Sequence, residues 1–238
     1  MNKGILFDLD DTLHDDTSTL AEAALVVAET ISGVHHCDAK SLYEAFLHEL
    51  EFFWEQLKAG RAATPKNPRA EMWTSALKCV EITVPGLAES AAQHFEAIRI
   101  NKSRLLPGVV DLLTYLRKNG VRVGILTNGL KITHEAKISA LQVHAHVDKI
   151  FLSDDIGSAK PDVAAFAFAL QHLGLSPTNT IMVGDRYDTD IVGAQNIGMR
   201  AIWFSIYGFR EVSQHPNIHR ATGISELRSA LTSMLGLH

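Results

Sequence analysis

The chain has 238 residues, of which 46% are hydrophobic and 21% charged, and a net charge of −5. That length bounds it at one or two domains that fold without a disulfide or metal staple, and the acidic balance gives no general attraction for nucleic acid or an anionic membrane. Its two cysteines, Cys37 and Cys79, exclude a disulfide framework and a four-cysteine zinc site and read as buried or incidental thiols.

Residues 3–7 form a short apolar run ending in Asp8-Leu9-Asp10. Residues 17–103 contain no comparable run; 19–31, 40–58, 68–80 and 86–100 read as helices, with a polar, proline-containing break at 61–68. Apolar runs resume at 121–126, ending in Thr127-Asn128-Gly129, at 149–152, at 180–183, ending in Gly184-Asp185, and at 200–204. Such short, continuously apolar segments read as buried strands of a parallel sheet. Helical patterns separate them at 109–118, 132–141, 163–173 and 190–196, and a last one covers 224–235; Gly120 and Gly174 act as stop signals. The alternation predicts a doubly wound α/β sheet, a Rossmann-like core with right-handed crossovers. The helical stretch is most simply an insertion after the first strand. The expected division is a core of 1–14 and 105–238 and an all-helical domain of 15–104.

In open α/β sheets ligands bind beyond the carboxyl ends of the strands. Here those ends carry Asp8 and Asp10, Thr127 and Asn128, and Asp185, with Lys160 following in Ser158-Ala159-Lys160-Pro161. Three carboxylates on one rim resist ionising together. A hard divalent cation such as Mg²⁺, which prefers oxygen ligands, resolves the conflict. The lysine and threonine would then face a substrate's own negative charge, a pattern that suits phosphoryl transfer.

Asp8-Leu9-Asp10-Asp11-Thr12-Leu13, Leu126-Thr127-Asn128-Gly129, Lys160-Pro161 and Gly184-Asp185-Arg186-Tyr187-Asp188-Thr189-Asp190, in this order, resemble the four-motif signature of the haloacid dehalogenase-like hydrolase superfamily. The helical insertion matches that family's cap, so the resemblance spans the whole chain. It implies that Asp8 is a nucleophile forming an aspartyl-phosphate, and that Asp10 protonates the leaving oxygen and then activates water. Mg²⁺ would be held by Asp8, the backbone carbonyl of Asp10 and Asp185, with Asp190 at or just beyond its ligand shell, orienting its waters. Thr127 and the Asn128 backbone N–H would hold phosphate oxygens, and Lys160 would neutralise nucleophile and phosphate. The resemblance is nearest to the branch holding pyrimidine 5′-nucleotidases and acylneuraminate-9-phosphatase. The expected activity is therefore a phosphomonoesterase for a small phosphorylated metabolite, a nucleoside monophosphate or a sugar phosphate. The alternatives are a 2-haloacid dehalogenase, which typically lacks the acid at the position of Asp10, and a non-catalytic phospholigand binder.

The resemblance also implies a cap that supplies substrate contacts. Trp54, Lys58, Arg61, Arg69 and Trp73 are the candidates; the competing reading is helix packing for the tryptophans and a solvated face for the charges. Asp15 and Asp16, near the first hinge, are further candidates for substrate contact. The twelve histidines show no metal-binding spacing and are expected at the surface or in loops. No signal peptide and no apolar run of membrane-spanning length are legible, so the expected setting is the cytoplasm.

Overall fold

The structure, a computed structural model, describes residues 2–58, 66–129, 131–209 and 218–237. Its strands are β1 (Gly4–Phe7), β2 (Arg122–Thr127), β3 (Lys149–Leu152), β4 (Thr180–Gly184), β5 (Arg200–Phe204) and β6 (His219–Ala221). Among the described residues they form one six-stranded sheet of order β3-β2-β1-β4-β5-β6, each pair parallel. The order reverses between β1 and its two neighbours, β2 on one side and β4 on the other. Such a switch point splays the outgoing connections apart and leaves a crevice at the carboxyl ends.

The chain forms two compact units, Met1–Asp16 with Ser103–His238, and Thr17–Lys102. Among the described residues, four helices, α1 (Asp16–His35), α2 (Ala39–Lys58), α3 (Pro68–Cys79) and α4 (Leu87–Lys102), build the second unit. The first holds α5 (Val109–Lys118), α6 (Lys131–Leu141), the single turn α7 (Ser153–Ile156), α8 (Val163–Leu173), α9 (Val192–Asn196) and α10 (Ile224–Leu235). Among the described residues no helix is long and apolar enough to cross a membrane.

Alternation along each strand splits the sheet's side chains between two apolar layers. Ile5, Phe7, Val123, Ile125, Ile181 and Val183 pack with Leu112, Leu116, Leu227 and Leu231 of α5 and α10. Leu6, Leu126 and Met182 pack on the other face with Phe166, Ala169 and Leu170 of α8. Both faces are covered, which is why these strands read as continuous apolar runs.

Three expectations need correction. The helix foreseen from residue 190 starts at Val192, because Tyr187–Ile191 forms a π turn, a geometry that often marks functional sites. β6 was not legible: His219–Ala221 is a short, partly polar edge strand whose position rests on pairing with β5. Cys79 is exposed and Cys37 half-buried, so neither is a buried thiol.

The helical unit has its own core. Phe46 stacks on Trp73 with ring centroids 4.1 Å apart, and Phe95 closes the cluster at 4.9 Å from Phe46. Arg69 and Arg99 are both buried. Their guanidinium carbons lie 5.4 and 5.6 Å from the Phe95 ring centre, and Glu96 accepts from Arg69 Nε at 2.9 Å and Arg99 Nη1 at 3.3 Å. Trp73 is wholly buried, so Trp73→Ala is expected to cost about 3–5 kcal/mol of unfolding free energy. Half-buried Trp54 should cost clearly less on the same change; denaturant titration of both variants measures the difference.

Candidate active site

The backbone places the acidic residues before any side-chain contact is considered. Phe7 pairs with Ile125 of β2 and Val183 of β4, and the next residue, Asp8, donates its N–H to the Val183 carbonyl at 2.8 Å. Asp8 therefore leaves β1 at the switch point, beside the ends of both neighbours. Thr127 is the last residue of β2 and Gly184 the last of β4, so Asp185 begins the loop on the other side.

Lys160 is the centre of the cluster. It is 4% exposed, and its Nζ lies 2.6 Å from Asp8 Oδ1 and 2.7 Å from Asp190 Oδ1. Burial alone would weaken the ammonium's hold on its proton, but Asp190 and Asp8 more than reverse that and keep it above the usual lysine range. Asn128 holds the lysine's backbone: its Oδ1 accepts from Lys160 N at 2.8 Å and its Nδ2 donates to Lys160 O at 2.7 Å. Sequence reasoning foresaw only the Asn128 backbone, as a phosphate contact, and missed this side-chain clamp.

Asp190 is wholly buried. Besides Lys160, it accepts from the Arg186 N–H at 3.0 Å through Oδ2, while its own N–H donates to the Arg186 carbonyl at 2.8 Å. The π turn thus folds Asp190 back under the loop that carries Asp185. Gly184 makes this possible, because a Cβ there would overlap the Asp190 carboxyl group.

Asp8, Asp185 and Asp190 each offer an oxygen, all within 4.8 Å of one another. Burial pushes Asp8 up to about 7 against the pull of Lys160, with Asp190 and Asp10 adding to the rise. Burial, then Asp8, Asp190 and Asp11, carry Asp185 to about 9. One lysine does not compensate three carboxylates. The donor set is all oxygen and electron-rich, which fits a hard divalent cation. Both Asp190 oxygens are already engaged, so the oxygens left for a cation are chiefly those of Asp8 and Asp185.

Asp10 is held by a second set of groups. Lys137 Nζ lies 2.5 and 2.6 Å from its two oxygens, and His134 Nε2 lies 3.1 Å from Oδ2. Lys137 also reaches Asp16 at 3.2 Å. Burial and Asp16 would raise Asp10, but Lys137 and His134 prevail and hold it at about 2. Both residues come from α6 at i, i+3 spacing, on one helical face. Gly129 leaves room for the His134 ring, which a Cβ there would overlap. His14, Asp10 and Asp16 also gather potential ligand atoms, but the Lys137 ammonium already supplies that group's positive charge.

His134 and His14 correct the expectation that every histidine is peripheral: they are 5% and 0% exposed. His14 Nδ1 donates to the Arg104 carbonyl at 3.0 Å, and the Leu106 N–H donates to Leu13 O at 2.9 Å. These bonds tie the loop after β1 to the returning chain. The i, i+3 pair of His134 and Lys137, opening a helix just past a strand end, was the signal available in the sequence.

The structure brings Asp8, Lys160, Asp185 and Asp190 together, with Asn128 behind Lys160 and buried Thr127 ending β2. Asp16 is taken up by Lys137, and Asp15 accepts from the Tyr207 hydroxyl. Of the residues proposed for substrate contact in the helical unit, Trp73 and Arg69 belong to that unit's own core, which is the packing alternative. Trp54 is half-buried edge-on to Phe53. Arg61 and the Lys58 side chain lie outside the described residues.

Known proteins are similar to this chain in sequence and fold. The chain is 31% identical over 216 residues to a glyceraldehyde 3-phosphate phosphatase of Pyrococcus abyssi, covering 87% of this chain and 83% of that one. It is 26% identical over 244 residues to the human N-acylneuraminate-9-phosphatase, covering 98% and 94%. Among solved structures, magnesium-bound YfnB from Bacillus subtilis superposes with a TM-score of 0.77 at 20% identity, covering 99% of both chains. The family model for haloacid dehalogenase-like hydrolases matches residues 2–198, and with the sheet order and strand-end carboxylates described above, the chain belongs to that family of hydrolases.

Proposed function

We propose that this protein is a Mg²⁺-dependent phosphomonoesterase acting through an aspartyl-phosphate on a small phosphorylated metabolite. One observation carries the reading: buried Asp8 has Lys160 at 2.6 Å, and one of its oxygens lies within 4.8 Å of an oxygen of Asp185 and of Asp190. A nucleophilic carboxylate beside a fixed ammonium and a cation-fitting set of oxygens matches what an attack on a phosphate dianion requires.

Asp8 attacks phosphorus as the ester P–O bond breaks, and the leaving oxygen takes a proton from Asp10. Water then attacks the aspartyl-phosphate, Asp10 takes up its proton, and inorganic phosphate and free Asp8 are restored. Thr127 and the Asn128 N–H bind phosphate oxygens, and Lys160 offsets the charge of nucleophile and phosphoryl group. Asp8, the Asp10 carbonyl and Asp185 would hold Mg²⁺, with Asp190 orienting the surrounding groups; when bound, the cation supplies Lewis-acid stabilisation of phosphoryl charge. Lys137 and His134 keep Asp10 ionised, the form that accepts a proton from water. An arriving anionic ester opposes that effect and raises the carboxyl's hold on a proton, as the donor role requires.

The relatives are named for glyceraldehyde 3-phosphate and N-acylneuraminate 9-phosphate, neither of them a nucleotide, which favours the sugar-phosphate side of the expected substrate range. The helical unit Thr17–Lys102 is read as the cap that selects among esters, and the two free thiols agree with a cytoplasmic setting. Phosphate release from sugar phosphates and nucleoside monophosphates is expected to need Mg²⁺ and to vanish in Asp8→Asn. Metal-independent halide release from a 2-haloacid, or no turnover of any ester including an aryl phosphate, would overturn the reading.

Two further outcomes follow from the charges. Asp10→Asn should lower turnover by about 10²–10⁴-fold. Lys137→Met removes the cation that holds Asp10 at about 2, so the acid limb of its pH–rate profile should move to higher pH. Without a cation, Asp8 and Asp185 keep protons in the folded state, to about 7 and about 9, that the unfolded chain releases near 3.8. Stability therefore falls as pH rises through that window. Mg²⁺ binding offsets the loss, so the rise in melting temperature on adding Mg²⁺ should be larger near pH 9 than near pH 6.

A further inference from the structure

Behind the carboxylates, one buried aromatic side chain holds the backbone of Asp185. Trp203 is the fourth residue of β5, and the β4–β5 register pairs it with Gly184, the residue before Asp185. Its indole Nε1 donates to the Asp185 backbone carbonyl at 2.8 Å. The ring is enclosed: Tyr187 packs on it with centroids 5.1 Å apart, Phe209 meets it edge-on at 4.8 Å, and the Arg220 guanidinium lies over it at 5.4 Å. A buried indole N–H needs a partner, and this one finds it in the loop that carries the carboxylate.

Asp185 projects toward Asp8 and Asp190, and whenever these carboxyl groups are ionised their like charges push it away from the rim. On its far side the loop is tied through Arg186 and Asp190. On the β5 side the restraint comes from a ring that is itself fixed by three neighbours. Resting on the reading of Asp185 as a cation ligand, we propose that Trp203 is a positioning residue for the divalent cation: by fixing the Asp185 carbonyl it sets where the carboxylate stands before the cation arrives. Groups that orient a metal ligand from behind typically contribute 10–100-fold to metal affinity. Trp203 is also one of three tryptophans in the chain, and its bond to Asp185 couples its emission to events at that residue.

The test needs no substrate. Mn²⁺ binding to the full chain is titrated by the loss of the free-ion electron paramagnetic resonance signal, in the parent protein and in Trp203→Phe, which keeps an aromatic ring and loses the donor. Trp203→Phe is expected to bind Mn²⁺ about 10-fold more weakly or worse, with its metal-free melting temperature little changed. Mn²⁺ quenches nearby emission by itself, so fluorescence is read with Mg²⁺. A Mg²⁺-dependent change should appear in the parent and in Trp54→Phe and vanish in Trp203→Phe. If Trp203→Phe does not fold, benzothienylalanine at 203, which has the indole's shape without its N–H, makes the same comparison. Parent-like Mn²⁺ affinity in a folded variant overturns the positioning role while leaving the phosphatase reading intact. No Mn²⁺ binding by the parent protein overturns the cation reading itself, and the positioning role with it.

Discussion

The site depends on a buried ammonium that two of its carboxylates share. Lys160 bridges Asp8 and Asp190 at 2.6 and 2.7 Å, inside a region where an unpaired carboxylate would not ionise at neutral pH. Removing one partner of such a buried set leaves an uncompensated charge, so the surrounding structure is built to keep the lysine in place. Asn128 fixes its backbone with two hydrogen bonds, and Gly184 leaves the volume that Asp190 needs to reach it. Even so, Asp8 and Asp185 stay well above the ordinary carboxylate range. The free protein thus carries a deficit of positive charge where the three carboxyl groups meet.

The two aspartates at the end of β1 lie two residues apart and live in opposite environments. Asp8 is buried among other carboxylates, while Asp10 faces the Lys137 ammonium and the His134 ring. Environments that push two like groups apart are how one site runs two kinds of chemistry. The separation comes from which elements flank each residue. The neighbour of Asp8 arrives ahead of α8, whereas the neighbours of Asp10 come from one face of α6.

The helical unit follows a different logic. Its centre is an aromatic cluster of Phe46, Trp73 and Phe95 with two arginines packed on Phe95 and sharing Glu96. Residues with a substrate-binding look, Arg69 and Trp73, are consumed by that core. An arginine can cover apolar surface with its stem and stack its guanidinium on a ring, so residue type alone does not separate a ligand contact from a packing one.

Much of this was legible in the chain. Apolar runs buried on both faces mark parallel strands, because helices cover both sides of the sheet, and 149–152 and 200–204 fell on β3 and β5 as read. Asp8, Asp10, Thr127, Asn128, Lys160, Asp185 and Asp190 stood out because strand ends at a switch point are local features with a fixed chemical vocabulary. β6 did not, since three partly polar residues become a strand only through the neighbour they pair with. The partners of the site residues were equally out of reach: Lys137 is 127 positions from Asp10, and Trp203 is 18 from Asp185. Sequence pattern alone determined where carboxyl, hydroxyl and amine side chains stand and which backbone positions present them. Only the tertiary structure decided each group's neighbours, and through burial and charge those neighbours set whether a carboxylate keeps its proton.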